Sequence, residues 1–310
     1  MHAHFLGPHV VGRRIVVRRL VPGETGPTGG PAFTDVVGEC TAWEDGVCVV
    51  RPEDADPVEI PVELIVSGKP VPPRPSPRLR VSVRDAELRT AALVGIETRS
   101  LGEWQLRYEP APVGRIRNRF NSCLGVGDPG VPLAEAATLV EGFYVERDRP
   151  PRIQVELGSE TEDTLRGLGW EAVPGRDSHF LVASLARVRR LLGGAPHPAT
   201  LGAATLRADG PRVSVEIGTP DVVASGEAGI DGDWLGVHNL AVEPAYRRRG
   251  LARAVLRELL SWGAEQGATT AWLHVQTDNE AAMALYDGLG FATHHSCRYL
   301  TPSRPHAGGH

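Results

Sequence analysis

The run Arg247-Arg248-Arg249-Gly250-Leu251-Ala252 joins a short apolar stretch, Val237 to Val242, to a segment whose apolar residues recur with helical spacing. Leu251, Val255, Leu256, Leu259, Leu260 and Trp262 stand at i, i+4, i+5, i+8, i+9 and i+11, so one face of a helix packs on a sheet, with Gly263 and Gly267 marking its end. Amides in the first turn of a helix have no acceptor within it, and the helix dipole adds partial positive charge there. Gly250 removes the Cβ that would block close approach, Ala252 keeps the turn slim, and three guanidinium groups raise the local potential. Such an end suits a pyrophosphate, although an arginine-rich turn can equally be a solvated cap.

A second constellation follows the expected strand Thr270 to Gln276. Asn279, Ala282, Leu285, Tyr286, Gly290 and Phe291 are spaced so that a helix starts at an Asp or Asn cap and ends before a glycine. Taken singly, they describe an amphipathic helix with a buried tyrosine. Taken with the arginine turn about 30 residues upstream, they resemble the GNAT acyltransferase superfamily, whose pattern reads Arg-x-x-Gly-x-Ala and then Asn-x-x-Ala-x-x-Leu-Tyr-x-x-x-Gly-Phe.

That resemblance implies direct transfer of an acetyl group from acetyl-coenzyme A to an amine, without a covalent enzyme intermediate and without a metal. It implies a strand splayed from its neighbour, with main-chain groups around Leu240, Ala241 and Val242 bonding the pantetheine arm and the thioester carbonyl. Arg247, Arg248, Arg249, Gly250, Leu251 and Ala252 would hold the diphosphate, and Asn279 the pantetheine arm. Tyr286 would hydrogen-bond the sulfur and protonate the departing thiolate. An amine is mostly protonated near neutrality, so a base is needed. Glu243 and His238 flank the strand on alternate faces. Glu243 is placed first, against the plainer readings of a surface glutamate and a packed histidine.

The elements that must position these groups are set off by two breaks. Pro70 through Pro77 and the run Gly193 to Pro198 divide the 310 residues into 1-72, 80-192 and 199-301. The first segment alternates apolar and polar residues in short runs and resembles a small SH3-like or Tudor-like all-β barrel. In it Phe33 and Trp43, with Phe5, could form a cation cage or simply core and edge. The other two segments are related by a shift of about 120 positions: Leu168-Gly169-Trp170 answers Leu289-Gly290-Phe291, and Ile153-Gln154-Val155 answers Leu273-His274-Val275. The alternation argues for an α/β (α+β) fold class, and the arrangement resembles tandem GNAT domains, mixed sheet with flanking helices, behind the barrel. The earlier copy reads Gly127-Asp128-Pro129-Gly130-Val131-Pro132 where the arginine turn would be, and Asp128 would repel phosphate. Arg115, Arg117, Asn118, Arg119 and Asn121 in that copy either line an acceptor cleft or form a solvated face.

Composition sets the outer bounds. A formal charge of -5 provides no broad basic field for nucleic acid or anionic membranes, and no stretch approaches a membrane span. Lys69 is the only lysine, and Cys40, Cys48, Cys123 and Cys297 show no metal-binding spacing. A cytoplasmic N-acetyltransferase is expected, acting on an amine such as a lysine of a histone-like protein recruited by the barrel. The alternatives are a small-molecule acetylase similar to mycothiol synthase and a non-catalytic acetyl-coenzyme-A sensor.

Overall fold

The computed structural model describes residues 6–26, 29–52, 55–71, 76–112, 114, 116–193, 204–218 and 220–303. The chain forms two compact units, Met1–Ser76 and Pro77–His310.

In the first unit β1 (Arg14–Thr25), β2 (Pro31–Glu44), β3 (Val47–Arg51), β4 (Val58–Pro61) and β5 (Ile65–Pro70) pair antiparallel in the order β4-β3-β2-β1-β5. Asp45 and Gly46, at φ 49 and 76, turn β2 into β3, which suits the Asp-Gly pair of a tight hairpin. Alternating residues Ile15, Val17, Cys40, Cys48 and Val50 face one core with Ile60 and Ile65. No pairing joins β4 to β5 among the described residues, so the sheet is open where a closed barrel was expected. Phe33 is exposed and Trp43 packs on the core, while Phe5 lies outside the described residues.

The second unit begins with α1 (Val83–Leu88), β6 (Glu97–Leu101), β7 (Trp104–Tyr108), β8 (Cys123–Leu124), α2 (Leu133–Val145), β9 (Ile153–Glu156), α3 (Glu160–Gly167), β10 (Trp170–Ala172), β11 (Ser178–Ser184) and α4 (Leu185–Leu192). It continues with β12 (Ala204–Asp209), β13 (Arg212–Ile217), β14 (Ala224–Asp231), β15 (Trp234–Val242), α5 (Leu251–Glu265), β16 (Thr270–Gln276), α6 (Glu280–Asp287) and β17 (Ala292–Pro302). One mixed sheet runs β12-β13-β14-β15-β16-β11-β17-β9-β8-β7-β6, with β10 beside β17. In each half an antiparallel pair leads into a parallel pair bridged by a helix, β8-α2-β9 and β15-α5-β16. The closing strands are exchanged. β11, from the earlier half, pairs with β16 over Ser178 to Ser184, and β17, from the later half, pairs with β9. Segments 80-192 and 199-301 are thus joined by a continuous sheet.

α5 buries Leu251, Val255, Leu256, Leu259, Leu260 and Trp262, as their spacing predicts. Gly263 does not end the helix. It lies within α5, where an added Cβ would come 2.5 Å from a Leu235 methyl, so its role is close packing on β15. Gly267, at φ 88, follows the true end.

The exchange brings a buried polar cluster together at the seam. Glu87 on α1 is fully buried, and its Oε1 accepts hydrogen bonds from His274 Nε2 at 2.8 Å, His295 Nε2 at 3.0 Å and Cys297 Sγ at 3.1 Å. Arg107, also fully buried, reaches within 3.9 Å of its Oε2. Burial alone would raise the carboxyl's pKa, but its hydrogen bonds and charged neighbours hold it well below the usual carboxylate range. A lowered folded-state pKa stabilises the fold above the unfolded value near 4.5, and that contribution fades as pH falls. Glu87→Gln is expected to cost about 3 kcal/mol at pH 7, because the buried cations and donors lose their anion. Calorimetric melts should show the gap to the native protein narrowing only as pH falls below about 4.5.

Candidate active site

Strands β15 and β16 pair in parallel from Trp234↔Thr270 to Val237↔Leu273, and there the ladder stops although both strands continue. On its other side β15 stays with β14, through an irregularity between Ser225 and Glu227. Asn239 sits at that point with φ 53, a left-handed conformation that asparagine tolerates better than most residues. The bend drives β15 away from β16 and opens a cavity of about 390 Å³ between them.

Each wall comes from a different element. Val237, His238, Asn239 and Leu240 of β15 face His274, Val275 and Gln276 of β16, and Asn279, Ala282 and Tyr286 of α6 close one end. Arg117, Asn118, Arg119 and Phe120, with Arg152 and Arg176, form the opposite wall. Asn279 is the N-cap of α6, its Oδ1 accepting from the Ala282 amide at 3.1 Å. The cap and the cavity contact are compatible, because capping uses the carbonyl oxygen and leaves the amide donors. Tyr286 is buried against Phe291 and still lines the cavity. Burial pushes its hydroxyl up to about 12, so it remains a proton-bearing donor at neutral pH.

The arginine turn leads into α5. Gly250 is its N-cap at φ 81, with no side-chain cap, and a Cβ built there meets nothing within 4 Å. Among the described residues the amides of Arg248 through Arg253 have no backbone acceptor. Arg247, Arg248 and Arg249 are exposed, Arg247 Nε donating to Val242 O at 3.2 Å and Arg249 lying over the Tyr246 ring. Leu251 is buried in the core and Ala252 half-buried, so each could offer only its amide to a ligand.

Ala241, Val242 and Glu243 are not among the residues lining the cavity. Glu243 is exposed and does not line the cavity; its amide is bonded to Val223 O, which carries β15 past the cavity before the side chain can turn inward. Val242 does not line it either, and its carbonyl is already taken by Arg247. Ala241 pairs with Ser225 on β14. His238 does line the cavity, edge-on to Phe120 at 6.1 Å between centroids. Burial first, then the charges of Arg119 and Arg117, depress its pKa to about 3, so the ring is neutral at physiological pH.

Of the basic run in the earlier half, Arg117, Asn118 and Arg119 reach the cavity. Asn121 instead turns inward to accept from the Glu109 amide, and Arg115 lies outside the described residues. Arg152, Arg176, Ser178 and Tyr299 were not foreseen, since only the strand exchange brings them to the gap. The turn at Gly127 to Pro132 is filled from within: the Asp128 amide donates to Glu103 Oε2 at 2.7 Å and the Gly130 amide to Asp128 Oδ1 at 2.8 Å. Two carboxylates occupy the position a phosphate would need.

An open-ended helix start beside a gap in a parallel strand pair defines an α/β frame able to take an anion at its mouth and an extended chain inside. Residues 207–300 match the family model described as "Probable histone acetyltransferase Rv0428c C-terminal". The Mycobacterium tuberculosis protein named probable histone acetyltransferase Rv0428c is 27% identical over 314 residues, covering 94% of this chain and 95% of its own. The Escherichia coli (strain K12) [ribosomal protein bS18]-alanine N-acetyltransferase is 49% identical over 59 residues, which is 19% of this chain and 40% of that protein's length. A solved GCN5-related N-acetyltransferase from Kribbella flavida shares the fold, with TM-score 0.54 and 16% identity over 73% of this chain and 97% of its own. The chain is thus similar to acetyltransferases, by a family model over residues 207–300 and by one relative along nearly its whole length. No helix among the described residues is long and apolar enough to cross a membrane.

Gly250→Glu is expected to abolish coenzyme A binding in calorimetry, since it strains a left-handed position and sets a carboxylate among the free amides. A folded variant with native affinity would remove the diphosphate from this turn. The depressed His238 pKa stabilises the fold above about pH 6.5, and that contribution is lost as pH falls toward 3. His238→Asn should therefore flatten the decline in melting temperature over that interval.

Proposed function

We propose that the protein transfers the acetyl group of acetyl-coenzyme A directly to an amine. Two observations support this reading: the open amides at Gly250, and a strand gap lined by Leu240 and the buried Tyr286. The diphosphate lies at the α5 start, neutralised by Arg247 to Arg249, and the pantetheine arm runs into the gap where β15 has lost its parallel neighbour. A free main-chain donor near Leu240 stabilises the oxyanion as the amine attacks the thioester carbon. Tyr286 donates to the sulfur as the carbon–sulfur bond breaks. His238, a neutral ring lining the cavity with Glu227 Oε2 3.6 Å from its Nε2, stands in place of Glu243 as the group facing the acceptor.

The M. tuberculosis and E. coli relatives carry names of enzymes that act on protein amines, but the acceptor of this chain is set by its own arginine-lined cavity. A sensor that binds acetyl-coenzyme A without consuming it is the second reading. The donor at Tyr286 counts against it, because binding alone needs no proton at the sulfur.

Isothermal titration with coenzyme A tests the cofactor, and release of free thiol with an amine panel tests turnover. Tyr286→Phe should lower kcat by about 100-fold while leaving coenzyme A affinity nearly unchanged. An unchanged kcat across pH would take Tyr286 out of the mechanism, and binding without thiol release would favour the sensor.

A further inference from the structure

The cavity that Tyr286 lines also carries four arginines, Arg117, Arg119, Arg152 and Arg176, and no aspartate or glutamate lines it among the described residues. Their charge is not cancelled locally. Arg117 Nη1 and Arg152 Nε are buried without a hydrogen-bond partner, and Arg152 spends another donor on the neutral Asn118 side chain. Burial lowers the pKa of Arg119 despite the raising effects of Tyr299 and Glu87, and Arg117 and Arg107 add like-charge repulsion. Glu87, which acts on Arg119, is already held by His274, His295 and Cys297, and Glu227 lies 3.6 Å from His238. The four side chains are half-buried, but guanidinium donors left unused inside are expensive, and their planar forks match a carboxylate or phosphate.

Resting on the acetyl-transfer reading, we propose that the acceptor is a small amine bearing its own anionic group, a carboxylate or phosphate, which these arginines hold while the nitrogen faces the thioester. A lysine-rich segment is the wrong charge for this wall. The same field favours the uncharged form of the incoming amine, because nearby positive charge lowers the pKa of an ammonium group. The arginines therefore do part of the work of a base, and that explains how a site whose one ring on β15 is neutral down to about pH 3 could still receive a reactive nitrogen. The proton leaves the amine and ends on the released coenzyme A thiol or in solvent, so no further reactant is required.

Two measurements test this. In protein saturated with coenzyme A, the turn at Gly250 is blocked, and inorganic phosphate and malonate are titrated separately by calorimetry. Saturable binding of one of them is expected, weakened about tenfold in Arg176→Gln and in Arg152→Gln, as fits the loss of one charge-assisted contact. The two probes distinguish phosphate from carboxylate. Arg176→Gln guards against misfolding of the Arg152 variant, whose side chain also bonds Asn118. Acetylation of phosphoethanolamine, glycine, ethanolamine and a lysine-rich peptide is then compared. A higher kcat/KM for one of the anionic amines than for ethanolamine, a preference that collapses in the arginine variants, is the expected result. Coenzyme A binding with neither anion bound, or a preference for the peptide, overturns the proposal. Failure to bind coenzyme A at all overturns the acetyl-transfer reading beneath it.

Discussion

The ladder between β15 and β16 ends after Val237↔Leu273, and the site follows from that early stop. Had the two strands remained paired to their ends, the main chain around Leu240 would be spent on sheet hydrogen bonds and no cavity would separate them. The cause is local. Asn239 takes a left-handed conformation, β14 follows β15 through an irregularity, and β15 leans toward β14 and away from β16. A single unfavourable backbone position is held there by the pairing on both sides of it, a common way for a fold to fix strain where chemistry is done.

The two halves of the large unit show the same scaffold with opposite use. Both contain a parallel pair bridged by a helix, and both have a glycine-bearing turn before that helix. In the later half the turn's amides are free and its flanking side chains cationic. In the earlier half Glu103 and Asp128 supply the anion internally, so the donors are already satisfied. A phosphate would have to displace two carboxylates and then lie beside them, which electrostatics forbids at any ordinary concentration.

Much of this was legible in the chain itself, for identifiable reasons. α5 and β16 fall where the apolar period puts them, a local signal, with Gly267 rather than Gly263 following the end of α5. The arginine turn, Asn279 and Tyr286 carry spacing that a short segment can show. The open sheet of the first unit could not be told from a barrel, since closure depends on which edge strands meet and not on alternation within any one of them. Glu243 was misjudged because strand alternation gives a face only while the strand lasts, and β15 ends just before it. Arg152, Arg176 and Tyr299 were invisible for a different reason: they reach the cavity through pairings between distant parts of the chain, and no local pattern announces an exchange.

That exchange also dictates an order of events as the chain is made. β11 finds its partners only in β16 and β17, and β9 finds β17 only when the last described strand has been made. Until then the earlier half has two unsatisfied edges, each a template for pairing with another copy. Glu87, too, waits on α1 for His274, His295 and Cys297, so an ionised carboxylate must stay hydrated until the late strands arrive. Its charge keeps the unfinished edge wet, a safeguard against premature collapse that disappears only when the sheet is complete.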